Sequence, residues 1–92
     1  MADRIEELRA RIAVVDRELV AEAGRRLELV EELRREKVAR GLDFLDPDQE
    51  LRLTEALVSS NQGALGEQGV RELVAAMLEL TKRELGRRAA AD

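Results

Sequence analysis

Residues 3–40, DRIEELRARIAVVDRELVAEAGRRLELVEELRREKVAR, decide the fold. Ile5, Leu8, Ile12, Val15 and Leu19 recur at alternating spacings of three and four. That is the period of one apolar stripe on an α-helix and of the seam of a coiled coil. No proline interrupts the stretch, and Gly24 is its one glycine; inside a helix a glycine costs about 1 kcal/mol relative to alanine without breaking it. Such a helix is about 55 Å long at about 1.5 Å per residue. A chain of 92 residues needs no element of that length to enclose its own core. Much of the stripe would stay wet in a lone chain, and a second chain is the simplest cover.

The segments that follow carry their own punctuation. Gly41 is placed to close the helix in left-handed geometry. Asp46-Pro47-Asp48-Gln49 then reads as a helix start, with Asp46 as N-cap, Pro47 at the first helical position and Gln49 set to complete a capping box. Leu51, Leu53, Ala56, Leu57 and Val58 carry this second helix to about Ser60, and Asn61-Gln62-Gly63 with Gly66 marks a loop. A third helix is expected over 67–85, along Val70, Leu73, Val74, Met77, Leu78, Leu80 and Leu85. Gly86 and the Arg/Ala tail are expected to fray. The fold expected is all-α, a single domain over 1–92 with helices near 3–40, 47–60 and 67–85, paired with a second copy.

Composition narrows the function. With 45% hydrophobic and 39% charged residues the chain suits a folded helical protein better than a disordered one. Phe44 is the one aromatic, so aliphatic side chains must build the core, and a chain this short buries only a modest share of its surface alone. There is no histidine and no cysteine. That removes disulfides, the usual zinc ligands and the usual general base near neutral pH. A net charge of −4 and the lack of stacking side chains argue against nucleic acid. No apolar run approaches the ~20 residues of a membrane span. Met-Ala-Asp-Arg leads straight into the amphipathic pattern without a signal-peptide core, so a cytoplasmic protein is expected.

Charges then intrude where the stripe should be apolar. Beyond Leu19 the heptad runs through Glu22, Arg26, Leu29, Leu33 and Glu36. Either the seam rotates and Arg26 is solvated, or Arg26 faces a cavity, where a buried arginine needs an anion. Lys37 falls within about 20° of the face of Arg26, so the two cations can bracket an acidic ligand. Arg9 stands near the other end of the helix; antiparallel packing of two copies brings it toward Arg26 of the other chain. Asp46 and Asp48 suit the helix dipole, which accounts less well for Glu50, one turn in. Thr81 lies within the third apolar stripe and can either bond a backbone carbonyl or face a ligand. The Arg34-Arg35-Glu36-Lys37 run by itself reads as a solvated face.

In order, Leu8-Arg9, Ile12, Asp16, Arg25-Arg26, Lys37, Asp46-Pro47-Asp48-Gln49-Glu50 and a closing third helix resemble the all-helical chorismate mutase family over about residues 4–85. The resemblance implies an intertwined homodimer of three-helix protomers with two equivalent sites shared between chains. The implied reaction is the rearrangement of chorismate to prephenate for phenylalanine and tyrosine biosynthesis, without a cofactor. Arg26 and the partner's Arg9 would hold the carboxylates of the dianionic substrate. Lys37 would contact a carboxylate and the ether oxygen of the breaking bond. Glu50 and the backbone near Asp46 would receive the ring hydroxyl, and Thr81 stands where the family often has serine near the ring carboxylate. A pericyclic rearrangement needs no nucleophile or metal. It needs a dianion held in a reactive shape and stabilisation of charge growing on the ether oxygen.

Two positions depart from the family pattern. Gln49 stands where an arginine is usual. Leu85 stands where a glutamine or glutamate usually bonds the ether oxygen, with Glu84 one place early and able to donate there as a neutral acid if the helix end turns inward. These departures keep other readings open. One is an aminodeoxychorismate mutase or an isochorismate-pyruvate lyase of secondary metabolism. Another is a partner-activated helical module docking on another enzyme of the shikimate pathway.

Overall fold

The computed structural model describes residues 3–91. The helices are α1 (Arg4–Ala39), α2 (Pro47–Ser60) and α3 (Glu67–Ala91), and no strand occurs among the described residues. The long N-terminal helix expected from the stripe is present, at 36 residues. By its internal contacts the chain forms two compact units, Met1–Leu33 and Arg34–Asp92.

The first unit is the larger part of α1. Asp3 caps it: its side chain accepts from the Ile5 N–H at 3.1 Å and its carbonyl from the Glu7 N–H at 3.0 Å. Glu6 and Glu7 in the first turn favour the helix dipole. No residue of α1 is buried. Ile5, Ile12, Val15 and Leu19 are each more than half exposed, so the stripe lies on a single helix and stands open.

The second unit begins with the last turn of α1. Gly41 takes φ 70°, the Leu42 N–H donates to the Lys37 carbonyl at 2.8 Å and the Gly41 N–H to Val38 at 3.1 Å. Those two bonds make the left-handed helix stop that Gly41 was expected to supply. Asp46 then caps α2, its carboxylate accepting the Gln49 N–H at 3.1 Å, with Pro47 in the first turn. The other half of the expected box is replaced. The Gln49 side-chain oxygen is turned to Arg52, accepting from Nε at 3.2 Å and Nη2 at 3.1 Å.

Asn61 tightens the α2–α3 connection. Its Nδ2 donates to the Leu65 carbonyl at 2.6 Å and its Oδ1 accepts the Gly63 N–H at 3.0 Å. The two helices then run antiparallel, because stepping back along α2 from Glu55 to Glu50 steps forward along α3 from Arg71 to Lys82. Arg71 clamps Glu55 at 2.6 and 3.3 Å, and Lys82 reaches Glu50 at 3.1 Å. Val70, Val74 and Leu85, on one face of α3, are the buried side chains among the described residues. The third helix does not stop at residue 85: it passes through Gly86 to Ala91. A Glu84–Arg87 pair spans the glycine, and the alanines beyond it are strong helix formers.

Candidate active site

The second unit holds Lys37, Asp46, Gln49, Glu50, Thr81, Glu84 and Leu85, while Arg9 and Arg26 belong to the first. Lys37 is half-buried in the last turn of α1. Its Nζ donates to the Phe44 carbonyl at 3.3 Å and lies 6.0 Å from the centre of the Phe44 ring. A carbonyl and a π-face together hold the ammonium, and the helix stop at Gly41 folds the loop back to bring them there. Asp46 serves the α2 cap twice, its carboxylate accepting the Gln49 N–H and its carbonyl the Glu50 N–H at 3.1 Å.

Glu50 is half-buried. Its Oε1 lies 3.1 Å from Lys82 Nζ, with the two side chains 33% and 39% exposed. Its carbonyl takes the Thr54 hydroxyl at 2.9 Å, which leaves the carboxylate to act outward from the helix. Thr81, immediately before Lys82, donates its hydroxyl to the Met77 carbonyl at 2.8 Å. That is the backbone-bonding arrangement open to a threonine in an apolar stripe. Glu84 pairs with Arg87 on its own helix. Leu85 is 4% exposed and belongs to the apolar face of α3. In the first unit, Arg9 is exposed and Arg26 is half-buried.

The strongest electrostatic feature lies outside these residues. Hydrogen bonds and charge from Arg71 hold the Glu55 carboxyl below the usual carboxylate range. The same bonds from Glu55, joined by Glu67, push Arg71 up. This pair locks α2 to α3. Among the described residues no group of histidine, cysteine, aspartate or glutamate is placed to hold a metal ion, and no helix is long and apolar enough to cross a membrane.

Lys82, which contacts Glu50 at 3.1 Å, is not singled out by the sequence. Nothing local marks it, since its relation to Glu50 exists only through the register of α2 against α3.

The all-helical order of elements agrees with a comparison against known families. Residues 8–84 match the family described as chorismate mutase type II. The chain belongs to that family. The solved chorismate mutase (Form I) of Thermus thermophilus is similar at 28% identity and a TM-score of 0.82, over 86% of this chain and 99% of that one. Form II of the same protein is similar at 27% identity and a TM-score of 0.83, over 88% and 92% of the two chains. No curated protein gives a significant match. As a member of the chorismate mutase family the chain is an isomerase of the chorismate-to-prephenate class. Every expected site residue from Arg9 to Glu84 falls inside the family match, and Leu85 falls outside it.

Proposed function

We propose that the chain works as one chorismate mutase domain, paired as a cytoplasmic homodimer, and supplies prephenate for phenylalanine and tyrosine biosynthesis. The observation that carries the reading is Lys37: a half-buried ammonium held by the Phe44 carbonyl and ring. It is a fixed cation of the kind that charge developing on an ether oxygen requires.

In this mechanism Arg26 and the partner's Arg9 take the two carboxylates and fold the substrate into its reactive shape. The C–O bond to the ring breaks as the new C–C bond forms. The electrons move around one closed array, no proton is transferred, and the former ether oxygen becomes the ketone of prephenate. Negative charge accumulates on that oxygen in the transition state, and the Lys37 ammonium stabilises it. Glu50 accepts the ring hydroxyl together with the backbone near Asp46, and Thr81 approaches the ring carboxylate. Gln49 holds the Arg52 guanidinium against its own amide, which sets a cation one turn from where the family pattern has arginine. Glu84 is engaged with Arg87 and Leu85 is in the core, so Lys37 carries the ether oxygen.

Purified protein incubated separately with chorismate, isochorismate and aminodeoxychorismate, with products identified, tests this. Prephenate from chorismate is expected. Pyruvate from isochorismate would favour the lyase, and conversion of the amine alone would favour the aminodeoxychorismate enzyme. Turnover only after adding another shikimate-pathway enzyme would favour a partner-activated module.

A further inference from the structure

Among the described residues, the ion pairs Arg71–Glu55 and Lys82–Glu50 cross from α2 to α3, and they are built differently. Arg71 engages both oxygens of Glu55 through Nη1 and Nη2. Lys82 presents one ammonium to Oε1 of Glu50 at 3.1 Å, and both side chains stay about a third exposed, at 39% and 33%. A carboxylate offers about four lone-pair sites on its two oxygens. The Glu55 clamp thus engages both carboxylate oxygens, whereas the Glu50 pair engages Oε1 and leaves the other oxygen open to a ligand.

We propose that Lys82 is a specificity-determining positioning residue, which makes the ring-substituent end of the site accept a hydroxyl and reject an ammonium. The inference rests on the reading of Glu50 as acceptor of the ring hydroxyl. An unpaired, half-buried carboxylate attracts a cation before it attracts a neutral donor. On its own, Glu50 would favour the analogue of chorismate that carries a protonated amine in place of the hydroxyl. With Lys82 in contact, the carboxylate's charge is already matched. A hydroxyl is uncharged and can donate to the free oxygen while Lys82 keeps the other. An ammonium arriving there meets a like charge at close range, the arrangement by which charged groups exclude wrong partners. Lys82 also fixes the Glu50 rotamer from the neighbouring helix, so the open oxygen is presented in one direction.

The test is the discrimination between chorismate and its amine analogue, as a ratio of kcat/KM, or as the inhibition constant of the amine against chorismate where its turnover is too slow. Lys82→Met is expected to shift that ratio toward the amine by about tenfold or more, and Lys82→Arg to keep it near the wild-type value. In the wild type, discrimination is expected to weaken as pH rises through the pKa of the substrate amine, a change that a purely structural role for Lys82 would not produce. If Lys82→Met fails to fold, as judged by circular dichroism, Lys82→Gln serves in its place. An unmoved ratio in the folded variant, with Glu50→Gln impaired on chorismate, overturns the role of Lys82 alone. Undiminished chorismate turnover in Glu50→Gln overturns the reading of Glu50 beneath it.

Discussion

Lys82 Nζ stands 3.1 Å from Glu50 Oε1, tying the third helix to the first turns of the second. The pair sets a carboxylate at a fixed place in the hairpin, and Glu50 is the residue whose carboxylate the proposed chemistry uses. Glu50→Gln keeps the shape and removes the charge. A hydrogen bond to a charged group is worth about 1.5–3 kcal/mol, so kcat/KM for chorismate is expected to fall about ten- to a hundredfold with helicity intact. Steady-state kinetics on the folded variant decides it, and an unchanged value removes Glu50 from the site.

Lys37→Ala is expected to be more damaging. One oriented donor to developing charge is worth about a hundred- to a thousandfold in kcat. Phe44→Leu removes the ring but keeps the carbonyl that Lys37 Nζ reaches at 3.3 Å, so its loss in kcat should be smaller. Equal loss in both variants would mean that the ring, rather than the carbonyl, holds the ammonium.

Arg26→Ala and Arg9→Ala should each abolish turnover. After subunit exchange, a mixture of the two should regain activity, because one site of each mixed dimer contains both arginines. Light scattering at micromolar concentration should show a dimer. A folded monomer, or no recovery on mixing, counts against sites shared between chains.

Leu85→Gln tests the α3 register. From sequence alone this change would add a donor at the ether oxygen. With Leu85 only 4% exposed, it instead places an amide among aliphatic side chains and is expected to cost about 2–4 kcal/mol of stability. Urea denaturation reads this directly. Undiminished stability with a faster reaction would show that the side chain faces substrate.

Acid should loosen the hairpin through Glu55. Its pKa in the folded protein lies below the ordinary 4.5 because of Arg71. A carboxyl with a depressed folded pKa contributes stability that is fully present above its unfolded pKa and is lost as pH falls through the folded one. Denaturation midpoints should therefore drop as pH falls below 4.5, and less steeply in Glu55→Gln. Parallel profiles for the two proteins would show that this pair contributes nothing.

What was legible in the sequence was local. The left-handed stop at Gly41 and the cap at Asp46 each depend on a few adjacent residues, and both occur as read. The stripe from Ile5 to Leu19 announced both a long helix and its lack of cover. The end of α3 was misread because Gly86 is a stop signal by itself, whereas the Glu84–Arg87 pair around it carries the helix on to Ala91. Lys37 and Glu50 stood out as charges in poorly explained places, but their partners did not. Phe44 reaches Lys37 only after the chain turns, and Lys82 meets Glu50 only once α2 and α3 have found their register. Arg71 and Glu55, 16 residues apart, were hidden for the same reason.

No side chain of α1 is buried within the protomer. For such a chain, paired as proposed, covering α1 is second order in its own concentration. Trimming Ile12 or Leu19 takes nothing from a lone protomer's interior, so the damage depends on how much protein is present. A variant that is silent in a concentrated preparation can be a null in a cell that makes few copies. Tolerance to change along this helix is thus set by abundance as much as by chemistry.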